Sequence, residues 1–81
     1  MIKFLLFSAP WCTSCTALKS NLTEEDLKNV VTINVDSDVD TVMDFNIRSI
    51  PTIVKVDSDN NEISRKRGNM SREDFLEWKN G

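Results

Sequence analysis

The segment KFLLFSAPWCTSC, Lys3 to Cys15, begins with an apolar run and ends on both cysteines of the 81-residue chain, which are separated by two residues. Lys3-Phe4-Leu5-Leu6-Phe7 lacks the alternation of a half-exposed strand and reads as an inner strand covered on both faces, which calls for helices on each side of a sheet. The cysteines then stand where the chain leaves the C-terminal end of that strand and enters a helix. A metal grip, a structural staple and a reactive dithiol are the three readings of such a pair.

A bond between Cys12 and Cys15 closes a ring of four residues and constrains little of the unfolded chain, so the staple reading is weak. Structural zinc takes four ligands, whereas this chain holds two Cys and no His. A thiolate at the first turn of a helix, by contrast, is stabilised by free N–H groups and the helix dipole. Cys12 occupies that turn, and Cys15 lies one turn further on, within reach of a mixed disulfide held on Cys12. The spacing assigns attack to Cys12 and resolution to Cys15.

A bare CxxC is weak evidence, and three further features add weight. Trp11 precedes Cys12, where an exposed indole presents contact area to a partner or else packs on the sheet edge. Ile50-Pro51 heads an apolar strand, where a trans strand-entry proline and a cis bond turned toward the dithiol are both open. With the cis form, the Ile50 backbone would pair with an extended substrate segment. Gly68 follows the last hairpin, either lining a docking groove or making a plain turn.

Outward from this segment, Thr13 to Asn21 or a little beyond is expected as a helix with Ala17, Leu18 and Leu22 on its inner side, and Thr23 with Asp26 starts a short turn. Asn29 to Val35 reads as a second inner strand. Asp36-Ser37-Asp38 caps a short helix that presents Val39, Val42, Met43 and Phe45 or Ile47 to the sheet. Pro51 to Val56 and Glu62 to Arg65 form a hairpin around Asn60-Asn61, and Ser71 caps a last helix with Phe75, Leu76 and Trp78 inward. The expected class is α/β in βαβαββα order: a mixed four-stranded sheet flanked by three helices, as a single domain over residues 1–81.

The net charge of −3 and the absence of an extended basic face argue against nucleic-acid binding. The apolar N-terminal run is far shorter than a membrane span and has no basic region before it, so neither a membrane segment nor a signal peptide is expected. A dithiol without a signal peptide makes the reducing cytosol the expected compartment, a mature secreted chain with its signal removed being the alternative.

The residues FLLFSAPWCTSC (4–15), INVD (33–36), NIRSIPTIV (46–54) and Gly68 together resemble the thioredoxin family over essentially the whole chain. The resemblance implies a thioredoxin fold and a thiol-disulfide oxidoreductase that reduces protein disulfides, with Cys12 as nucleophile and Cys15 resolving. It also implies substrate contacts at Trp11, Ile50, a cis Pro51 and Gly68, and no cofactor beyond the redox-active disulfide. A monomer is expected, and ribonucleotide reductase is a client by family association.

The departures carry information as well. The chain starts directly at the strand before the cysteines, an outline similar to glutaredoxins and to small glutaredoxin-like thioredoxins of microbes and their viruses. Thr13-Ser14 stands where typical thioredoxins have Gly-Pro, and its hydroxyls are candidates to modulate the sulfurs. Leu6 and Thr32 replace the family's buried carboxylate and its lysine partner. There is no Tyr, and no Lys or Arg between Lys3 and Lys19, so a thioredoxin reductase-like flavoprotein is the expected electron donor, with glutathione as the alternative. A fold used only as a binding module of a larger complex is the competing class.

Overall fold

The computed structural model describes residues 2–81. The elements are β1 (Lys3–Ser8), α1 (Thr13–Ser20), β2 (Val30–Asn34), α2 (Val39–Asp44), β3 (Thr52–Val56), β4 (Glu62–Arg67) and α3 (Arg72–Asn80), the βαβαββα order expected. They build one sheet in the order β2-β1-β3-β4. β1 runs parallel to β2 and antiparallel to β3, and β3 pairs antiparallel with β4.

Two inner strands, β1 and β3, carry the continuous apolar runs because both of their faces are covered. Alternate residues of β1 divide between the two cores, as the two-residue period of a strand requires. Phe4 and Leu6 join Leu18, Leu22, Ile53, Met70 and Phe75 on the side of α1 and α3. Leu5 and Phe7 join Val54 and Val56 on the other side, where Val42, Phe45 and Ile47 pack from α2 and the segment after it.

Two expectations are corrected. β2 is an edge strand, not an inner one, since among the described residues β1 alone pairs with it; its partial alternation reflects one covered face, and Val31 is 46% exposed. Val39 and Met43 do not face the sheet: α2 is only six residues long, so one narrow side, carrying Val42, meets the core, and Met43 stands 71% exposed.

Side-chain hydrogen bonds join the layers. The Trp78 indole N–H donates to Ser64 Oγ at 3.1 Å, tying α3 to β4. The Arg65 guanidinium donates to both Glu62 carboxylate oxygens and to the Phe45 carbonyl at the end of α2. Asn46, next in the chain, adopts φ 54°, a conformation in which Asn is among the better tolerated residues.

Thr23 and Asp26 form a reciprocal cap, each backbone N–H donating to the other's side chain at 3.0 and 3.1 Å. Asp26 is also buried and accepts from Arg72 Nε at 2.6 Å and from Nη2 at 3.2 Å. The bonds from Arg72, followed by those from Thr23, hold the Asp26 carboxyl at about 2, below its ordinary 3.8. Because the folded value is depressed, this contribution to stability is complete above the unfolded value near 3.8 and disappears as pH falls through about 2. Accordingly, D26N should lower the melting temperature by several degrees at pH 7, and its difference from the wild type should shrink at pH 2. Thermal melts of both proteins across that range check this; an equal deficit at every pH would contradict it.

Candidate active site

β1 ends in the middle of the sheet, and the chain turns at once. The Cys12 N–H donates to the Ala9 carbonyl at 3.1 Å, closing a four-residue turn with Pro10 at its second position, where a fixed φ is favourable. The turn delivers Cys12 to the N-cap of α1 with extended backbone, φ −85° and ψ 106°. Its sulfur takes the place of the usual capping oxygen and accepts from the Cys15 N–H at 3.2 Å. Cys12 and Cys15 are joined as a disulfide.

A backbone donor aimed at Cys12 Sγ at a helix N-terminus favours the thiolate over the thiol once the disulfide is opened. Cys15 sits inside the first turn and receives no such bond among the described residues. Exposure barely separates the two: Cys12 is 7% and Cys15 2% exposed. Chemical asymmetry therefore comes from hydrogen bonding and position in the helix rather than from accessibility.

The structure brings the other sequence-derived residues around this pair. Trp11 is 67% exposed, and its indole N–H donates to Asp36 Oδ2 at 2.8 Å, so the ring is held from below while its surface stays free. Asp36 was not among the sequence-derived site residues. It is delivered by the carboxyl end of β2, where Val35 N–H bonds the Ser8 carbonyl and Asn34 accepts from the Asp36 N–H. The available clue was the INVD stretch, whose polar end lies beside the end of β1.

Ile50 packs against the cluster of Ala9, Cys12 and Cys15, and the Ile50-Pro51 bond is cis. The Thr52 hydroxyl donates to the Ser49 carbonyl at 2.7 Å and braces the segment before β3. Gly68 lies across from it, its N–H donating to the Pro51 carbonyl at 2.8 Å. Its φ is +83°, and among the described residues no atom outside Gly68 and its chain neighbours lies within 4 Å of the point a Cβ would occupy, so Gly68 is required by its backbone angle and not by lack of space. Thr13 and Ser14 point outward on the first turn; among the described residues neither hydroxyl bonds a sulfur, and the Thr16 hydroxyl reaches the Cys12 carbonyl instead.

A shallow cavity of about 310 Å³ opens beside the pair, lined by Trp11, Val35, Val42, Ile47, Arg48, Ser49 and Ile50. Its lining is mostly apolar, Arg48 and Ser49 apart. Among the described residues, no group of three or more His, Cys, Asp or Glu is placed to hold a metal ion, and no helix is long and apolar enough to cross a membrane.

Comparison with known proteins agrees with this geometry. The thioredoxin of Griffithsia pacifica is 36% identical over 53 residues, 59% of this chain; the match spans about half of that relative, 49% of its length. Among solved structures, thioredoxin-2 of the malaria parasite superposes with a TM-score of 0.85 at 21% identity, covering 99% of this chain and 82% of that one. Thioredoxin NaTrxh from Nicotiana alata gives 0.78 at 26% identity, covering 96% and 69%. A match to the thioredoxin family model runs from residue 2 to 80, through β1, the cysteine pair and the final helix, and on that extent the chain belongs to the thioredoxin family.

Proposed function

We propose that the protein is a thiol-disulfide oxidoreductase that reduces protein disulfides. The observation that carries this reading is the Cys12–Cys15 disulfide at the N-terminus of α1, beside an open apolar groove ending on Ile50. In the reduced protein the Cys12 thiolate attacks one sulfur of the client disulfide; a Cys12–client disulfide forms and a client thiolate leaves. Cys15, deprotonated, then attacks Cys12 Sγ, forming the Cys12–Cys15 bond and releasing the second client thiolate. Two electrons pass to the client, and an external dithiol system must return them.

Trp11, Ile50, Pro51 and Gly68 are assigned to client docking, and Thr13 and Ser14 to tuning the helix start. A flavoprotein of the thioredoxin reductase class is the proposed donor, with ribonucleotide reductase among the clients. The proposed working state is a monomer in the cytosol.

Insulin reduction by dithiothreitol tests the activity: the wild-type protein should accelerate precipitation of the free chains well above background. Background rates from folded protein would leave the fold as a binding module. The donor is identified by following NADPH loss with oxidised protein and either thioredoxin reductase or glutathione with glutathione reductase. Faster turnover in the glutathione system would reverse the assignment.

A further inference from the structure

A second, smaller cavity of about 90 Å³ is lined by Asn46, Arg48, Thr52, Arg65 and Arg67. Arg65 and Arg67 are two apart on β4 and share a face, and Thr52 pairs with Arg67 across the hairpin. The charges are not equivalent. Arg65 is bound by Glu62 at 2.6 Å, which holds the Glu62 carboxyl below its ordinary range and neutralises that guanidinium. Arg48 and Arg67 are exposed and make no ion pair or side-chain hydrogen bond among the described residues.

Arg48 also lines the apolar groove beside Trp11, so the two cavities share one wall. Acidic residues accompany the Trp11 side without lining the groove itself: Asp36 accepts from the Trp11 indole, and Asp38 and Asp40 follow at the start of α2. In a chain of net charge −3, the docking surface is thus polarised, negative beside Trp11 and positive at Arg48 and Arg67.

The geometry points to a carboxylate subsite for the client: we propose that the Arg48–Arg67 pocket receives an Asp or Glu side chain two or three residues from the client cysteine that Cys12 attacks. Ile50 touches the cysteine cluster, Thr52 lines the pocket two positions later across the cis Ile50-Pro51 bond, and Arg48 lines both cavities, so the pocket adjoins the groove; the client's own extended chain advances roughly 7 Å in two residues. Guanidinium groups match a carboxylate in both charge and geometry, and the acidic residues beside Trp11 disfavour the same side chain in reversed orientation. The subsite rests on the dithiol activity proposed above, and it adds a class of client to that activity.

The test uses disulfide peptides identical except for Glu, Gln or Lys two or three residues to either side of the attacked cysteine, reduced by the wild-type protein at low ionic strength. Glu should be preferred over Gln by about fivefold on one side only, with Lys slowest, and the preference should fall toward unity in roughly 0.5 M salt. The readout is the Glu-to-Gln ratio within each protein, whatever its absolute rate. R48Q/R67Q should bring that ratio to about one, while K66Q, on the opposite face of β4, should leave it unchanged. Equal rates for all peptides, or a preference that survives R48Q/R67Q, would overturn the subsite. A small neutral aromatic disulfide separates the two readings: its reduction without any peptide preference defeats the subsite alone, and its inertness with folded protein defeats the dithiol activity and the subsite together.

Discussion

Cys12→Ser is expected to lower protein-disulfide reduction by a factor on the order of 10³ or more, because a serine hydroxyl at neutral pH supplies almost none of the nucleophile that a stabilised thiolate does. Cys15→Ser should fail differently. Its Cys12 can still attack, but nothing inside the protein then releases the product, so a covalent Cys12–client disulfide should accumulate. The distinction rests on the Cys15 N–H directed at Cys12 Sγ at 3.2 Å, a bond that serves Cys12 alone. Mass spectrometry of the trapped adduct, together with mapping of the first thiol alkylated by limiting iodoacetamide near pH 7, checks both halves. Because the two residues differ little in exposure, a strong preference for Cys12 would report its thiolate character. Alkylation of Cys15 ahead of Cys12, or turnover by the Cys12 variant, would overturn the assignment.

The largest effect on stability is expected at Phe75. Its side chain is fully buried on the α1/α3 side of the sheet, with ring centroids 6.3 Å from those of Phe4 and Trp78. Truncation to alanine removes the packing between α3 and β1 and leaves a cavity that neighbours on a rigid sheet fill poorly, costing about 3–5 kcal/mol. Domains of this size hold about 4–12 kcal/mol in total, at roughly 0.05–0.15 kcal/mol per residue. F75A should therefore lose from about a quarter to all of its stability and, in urea denaturation, shift its midpoint by about 2–3 M or unfold without denaturant. F75L, which keeps most of the volume, should cost less than about 2 kcal/mol. A midpoint for F75A close to the wild-type value would show that α3 contributes little to the fold.

The residue pattern alone determined much of this protein. Continuous apolarity in Phe4 to Phe7 and in Ile53 to Val56 marked the two inner strands, since only a strand covered on both faces can carry such a run. The position of Cys12 between the strand end and Thr13 placed the reactive sulfur on a helix N-terminus, and Ile50-Pro51 and Gly68 marked the opposite wall of the site. All of these are local signals, readable because strand and helix periods and the backbone limits of Pro and Gly act over a few residues.

What tertiary structure decided was every pairing between distant segments. β2 resembles an inner strand in composition but lies at the edge because β3 takes the other side of β1. Asp26 finds Arg72, 46 residues later, and Asp36 finds Trp11, 25 residues earlier, only after the sheet has set their separation. Arg48 and Arg67 are ordinary surface charges in the sequence and become one pocket because the antiparallel register sets Arg67 opposite Thr52, just beyond Pro51. Charge attracts over distances shorter than the chain separations involved, so such partners are chosen by where the backbone hydrogen bonds hold them and not by the residues' own chemistry.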